Sequence, residues 1–237
     1  MLLRSITKHV KEQNWFAVAL DFFIVVVGIL IAFQITNWNE ERVERQEERS
    51  LIQQLDAQFH GLEDILVQRI ERAEGLVTSS AELIAIIRSE ATPPDADVLK
   101  ALLFDTRRYN AQLPAPTVFT DALQSGRIGN LSNDDLRRVL FDYEISKGWW
   151  ATVSGAAPPQ INANSKLSQA LTLSADSTPE ESFRSRVLDF DWQGVIAAER
   201  ELVEIHKRQS LQAEAFRLEL QTARKVLEAF QANQKGQ

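Results

Sequence analysis

The chain contains no cysteine. That excludes disulfides, thiolate nucleophiles and cysteine-based zinc sites. Histidine is nearly as scarce. His9, His60 and His206 lie far apart, and none has a second histidine or an acid cluster at metal-ligand spacing. Strand patterning is sparse, with no clean period-two run bounded by turn residues. Positive charge is in deficit: 26 Lys and Arg stand against 33 Asp and Glu, a net charge of −7 that argues against a nucleic-acid surface. Catalytic motifs are missing too. Gly126 and Gly129 are not followed by the Gly-Lys-Ser/Thr ending of a phosphate loop. Ser154-Gly155 follows a helical pattern rather than a strand, so it is no nucleophile elbow. Asp134-Asp135 and Glu180-Glu181 read as first-turn acids facing positive helix ends. The expectation is a protein without enzymatic activity, metal or cofactor.

What the chain does have is one long apolar stretch, Trp15 to Trp38, broken only by Asp21 up to Phe33. Its run of about 20 apolar residues suffices for a helix to cross the ~30 Å hydrocarbon core of a bilayer. At ~1.5 Å per residue the two tryptophans stand about 35 Å apart, so each falls near a headgroup layer. The run exceeds a signal-peptide core, and Ile35-Thr36-Asn37-Trp38-Asn39 is a poor cleavage site, so the segment reads as an uncleaved signal anchor. Trp15, Asp21, Asn37, Trp38 and Asn39 are the candidate anchor and interface residues. Asp21, about 9 Å below Trp15 by helix rise, has three readings. It reaches water or takes up a proton in a shallow turn, contacts another helix in an oligomer, or serves a proton or ion. For Asn37 to Glu40 the alternatives are headgroup anchoring and a specific contact with a neighbouring membrane protein. Lys and Arg counts tie across the segment. The short tail's Arg4, Lys8 and Lys11 face only Glu12, whereas five glutamates dilute the far flank. The expectation is a cytoplasmic N-terminus and an extracytoplasmic C-terminal part.

Beyond Trp38 the residues are strong helix formers with mixed charges at i+3 and i+4. Ile52, Leu55, Phe59, Leu62, Leu66, Ala73, Leu76, Leu83 and Ile87 keep a three-four rhythm, with Arg69 and Ser80 as polar interruptions. Ile70, Val77 and Ile84 widen the stripe to a bundle face. Pro93-Pro94 ends this helix. Short helices follow over about 95–109, from a Thr117 cap to Ser125-Gly126, from a Ser132 cap through Tyr143 and Val153 to the break at Gly155–Pro159, over 160–174, and from the Thr178-Pro179-Glu180-Glu181 start to Phe190. A last long helix, about 191–232, carries Val195, Leu202, Ala213, Phe216, Leu220, Ala223, Leu227 and Phe230 on one stripe, with Glu199, His206 and Gln209 as polar members. The two long helices are expected to lie antiparallel, with Ile87 facing Trp192 to Val195, Phe230 near Leu51, and Arg69 meeting His206 and Gln209 in a polar layer that fixes register.

The fold class is therefore all-α: an N-terminal transmembrane helix continuing into a long antiparallel helical hairpin with a small helical cap. The parts are a cytoplasmic tail (1–14), the transmembrane helix (15–38), a membrane-proximal long helix (39–92), the cap (93–190) and the returning helix (191–237). A candidate binding surface comprises the turn at Gly126, Ile128 and Asn130 and the pair Trp149-Trp150. Two adjacent tryptophans cannot both face one stripe. The alternative is that both pack within the cap.

The stretch GILIAFQITNWNEER, 28–42, resembles the signature of an uncharacterised family of bacterial single-pass membrane proteins, in which an apolar run ends in a Gln-Ile-Asn-Asn-Trp-Asn-Glu-like sequence. LQSGRIGNLSNDDLRRVLFDYE, 123–144, is similar to a second stretch of that family. Thr36 stands where Asn is usual and Asp21 where Glu is common. The resemblance implies a bacterial, membrane-anchored helical protein and confers no catalytic residues. Two functions remain open. One is a scaffold or contact domain whose partners are the lipid bilayer and either further copies of itself or another membrane protein. The other is a ligand-sensing helical bundle that signals through a membrane partner.

Overall fold

The computed structural model describes residues 15–89, 93–108, 116–154, 165–177 and 185–235. Two compact units divide the chain, residues 1–53 and 54–237. Helix α1 (Trp15–Arg88) runs for 74 residues through both. It contains no proline, and its polar stretch is supported by pairs one turn apart such as Arg45 Nη1 to Glu41 Oε2 at 3.2 Å.

In the first unit the apolar side chains from Leu20 to Trp38 mostly face outward; Phe22, Phe33 and Trp38 are all exposed. In the second unit the same helix behaves oppositely. Leu55, Phe59, Leu62, Leu66, Leu76 and Leu83 are buried along the stripe that the spacing predicts.

The partner of that stripe is α7 (Glu199–Lys235), which buries Leu202, Ala213, Phe216, Leu220, Leu227 and Phe230. Contacts between the two helices are antiparallel. Arg88 Nε donates to Glu199 Oε1 at 2.6 Å, Arg217 Nη2 to Glu74 Oε1 at 2.6 Å, and Arg224 Nε to Glu63 Oε1 at 2.7 Å. At the other end of the pairing the rings of Phe59 and Phe230 lie 6.1 Å apart and Gln234 reaches Asp56. The register differs from the expected one, since Phe230 packs on Phe59 rather than near Leu51. The reason is a break that the apolar rhythm does not reveal. Residues 192–197 form a separate short helix, α6 (Trp192–Ala197), so α7 starts at Glu199, opposite Arg88.

The short elements divide between the two ends of this pair. At one end stand α2 (Ala96–Thr106), α5 (Lys166–Gln169), the strands β1 (Leu171–Ser177) and β2 (Ser185–Phe190), and α6. Leu83, Leu103, Leu167, Val195, Leu202 and Ile205 are the most enclosed members of its core. The strands correct the helices expected over 160–174 and up to Phe190. They pair antiparallel through Leu171↔Phe190 and Leu173↔Val187, with irregularities on both sides of Leu173. Such bulges break strict alternation, which is why no period-two pattern marked them. The Thr178 to Glu181 cap lies outside the described residues.

At the other end α3 (Thr117–Gln124) and α4 (Asp134–Ser154) pack against the long pair. Phe59, Phe119, Tyr143 and Phe230 form an aromatic cluster, with edge-on ring centroids at 4.9 Å for Phe59–Tyr143 and 5.2 Å for Phe119–Tyr143. Both expected caps shift by one residue. Thr117 is the first helical residue rather than the cap, and Pro116 before it has no side-chain cap bond. The Phe119 N–H is received by Gln58 Oε1 of α1 at 2.9 Å instead. In α4 the cap is Asn133 rather than Ser132, its Oδ1 accepting from the Asp135 and Leu136 amides.

Candidate functional site

Three groups of residues are candidates, and each sits on a different part of the helical framework. The first is the apolar segment. Among the described residues, α1 is the one helix long and apolar enough to cross a membrane, and none of its most apolar window is buried within the protein. Asp21, Asn37, Trp38 and Asn39 are all exposed on it. Thr36 satisfies its own hydroxyl by donating to the Ala32 carbonyl at 3.0 Å. Trp15 is helical, while its side chain lies outside the described residues.

The second group is a polar layer among α1, α2 and α7. Ser80, buried in the stripe of α1, lies 2.9 Å from His206 Nδ1 and donates to the Val77 carbonyl at 3.0 Å. Because that hydroxyl has one hydrogen, the pair of bonds is satisfied together when His206 Nδ1 carries the proton toward Ser80. Ser79 donates to Asp105 Oδ2 at 2.8 Å. Gln209 is buried, and its Nε2 reaches the carbonyls of Asp105 and Arg108 at 3.3 and 3.4 Å, where α2 ends. The expected layer of Arg69, His206 and Gln209 is therefore corrected. His206 and Gln209 take part, but Ser80 and the end of α2 replace Arg69, which stands about three turns earlier on α1. The substitution follows from the register set at Arg88 and Glu199. A Ser hydroxyl at 1% exposure inside a helix pair is a structural partner of His206, not an accessible nucleophile.

The third group escaped sequence reading. Tyr143 of α4 donates to Glu219 Oε1 of α7 at 3.3 Å, and Lys147 lies 3.5 Å from Glu144 Oε2. Burial, then the neighbouring Glu219 charge, pushes the Tyr143 hydroxyl well above the ordinary phenol range, so it stays a neutral donor. Burial likewise raises the Glu219 carboxyl, and the bond from Tyr143 and the charge of Lys147 only partly offset this. A carboxyl raised on folding contributes stability that is complete at acid pH and is lost as pH rises through its folded-state value. Glu219→Gln keeps the shape and removes the charge. In thermal melts of the full chain in detergent, it is expected to melt above the parent at pH 7, with the gap closing as pH falls through the ordinary carboxylate range. An unchanged gap across that range would contradict the account. The signal in the sequence was an acid on the apolar flank of Leu220, one residue from the stripe.

The turn of the candidate binding surface is built as a helix stop. Gly126 has φ 76°, its N–H donates to the Leu123 carbonyl, and the Ile128 N–H donates to that of Ala122. Ile128 is buried, whereas Gly126 and Asn130 are exposed. Trp149 and Trp150 continue α4, with side chains outside the described residues. Among the described residues no three His, Asp or Glu side chains are grouped to hold a metal. Comparison with protein-family models, curated proteins and solved structures gives no match.

Proposed function

We propose that this is a single-pass protein of the bacterial inner membrane that presents a non-catalytic helical domain outside the cytoplasm for protein contact or scaffolding. The observation that carries the reading is the contrast along α1. Its apolar window is wholly unburied, while the stripe from Leu55 to Leu83 is enclosed. A soluble protein has no reason to leave so large an apolar surface uncovered, whereas lipid covers it without cost. Trp38 at the polar end suits a headgroup layer. The resemblance of residues 28–42 to a bacterial single-pass family supports the same assignment. The orientation rests on Arg4, Lys8 and Lys11 of the tail.

Alkaline phosphatase fused after Gln237 tests both halves of the reading. The fusion is expected to stay with membranes after carbonate washing and to be active. A silent, intact fusion would reverse the orientation, and a washed-off protein would end the membrane reading.

A further inference from the structure

Asp21 is the one ionisable residue between Trp15 and Trp38, and it is exposed on the helix. Among the described residues, no side chain pairs with it. The other polar groups of the segment differ. Thr36 bonds back to Ala32, and Gln34 projects from the opposite side by helix periodicity. At ~1.5 Å per residue Asp21 stands about 9 Å inward from Trp15, and its side chain is too short to regain the headgroups as a lysine would. A lone carboxylate at that depth is costly unless it meets a donor or a positive charge.

The face on which it lies is shaped for a close neighbour. At 3.6 residues per turn, Gly28 and Ala32 fall almost in line with Asp21, two and three turns along. They form a small-xxx-small pair, which lets helix backbones approach. A Cβ placed on Gly28 meets nothing within 4 Å, so none of the described residues fills the gap. The opposite face carries Phe23 and Leu30.

We propose that the face bearing Asp21, Gly28 and Ala32 docks a second transmembrane helix, one that carries a Lys or Arg at the depth of Asp21. Charge complementarity selects this occupant over another copy of the chain. A parallel pair of copies packed on Gly28 would set two Asp21 carboxylates against each other, a like-charge contact in hydrocarbon. A long basic side chain brings the missing charge and the N–H donors together, and its stem stays apolar.

The inference rests on the membrane reading, and the test separates the two. The full chain is expressed in its native membranes with a photo-crosslinking residue at Val25, beside Asp21, or at Phe23, on the far side. An adduct is expected from Val25 and not from Phe23. Its partner, identified by mass spectrometry, should carry a Lys or Arg within a transmembrane segment. Asp21→Ala and Gly28→Ile should each lower the yield about tenfold, while Asp21→Glu preserves it. Exchange of the charges, Asp21→Lys with an acid at the partner's basic position, should restore it. A self-adduct, a partner without a basic residue in its span, or a yield indifferent to Asp21→Ala overturns the proposal. Each variant is also washed with carbonate. A chain retained in the membrane without a face-specific adduct defeats only this inference, whereas a chain that washes off defeats the membrane reading itself.

Discussion

Phe59→Ala is expected to cost the helical domain about 3–5 kcal/mol. Phe59 is completely buried and touches three other rings, those of Phe119, Tyr143 and Phe230. Those rings come from three other helices, so the cavity opens where α1, α3, α4 and α7 converge. Edge-on contacts at about 5–6 Å also contribute beyond the area they bury. Phe22→Ala provides the control. The residue type, the helix and the substitution are the same, but Phe22 is 71% exposed within the protein. Thermal or denaturant unfolding of the full chain in detergent, followed by the helix signal, should show a large loss for Phe59→Ala and almost none for Phe22→Ala. A loss below about 1 kcal/mol at Phe59 would mean that the aromatic cluster does not hold the end of the bundle.

Gly194→Ala is expected to destabilise by about 1–3 kcal/mol, although it adds a single methyl group. A Cβ at Gly194 would stand 2.8 Å from Asp191 Oδ2 and 2.9 Å from Ala170 Cβ. Neither neighbour has room to move. Asp191 caps α6 by accepting from the Gln193 and Gly194 amides, and its own N–H donates to the Ala170 carbonyl at 2.8 Å. The new methyl must therefore displace the cap, the Ala170 turn or both. Gly75→Ala should do the reverse. Gly75 lies inside α1 with nothing within 4 Å of its added Cβ, and alanine favours helix over glycine by about 1 kcal/mol. The same unfolding experiment should thus give opposite signs for one chemical change. Equal effects at both sites would refute the close contact at Ala170.

What could be read in the sequence was the long-range pattern, because burial repeats with the helical period over many turns. Leu55 to Leu83 and Leu202 to Phe230 both lie buried as their spacing implies. What could not be read was anything decided by a single interruption. Ala198 ends α6 with no proline or glycine to announce it, and that break moves the pairing of the long helices by about two turns. The displaced register in turn gives His206 to Ser80 rather than Arg69. The strands hid for a related reason, since bulges around Leu173 scramble the alternation that identifies them. Tyr143 was legible as core, but its bond to Glu219 depends on how α4 meets α7, which no local pattern encodes.

Glu201 shows where the smallest pieces obtain their order. Its carboxylate, projecting from the first turn of α7, accepts the Lys166 and Leu167 amides at 3.0 and 3.1 Å. Helix α5 has four residues, too few to nucleate alone. Its order is therefore tied to that of the first turn of α7. Two stretches more than thirty residues apart along the chain are thus expected to gain and lose hydrogen-exchange protection together.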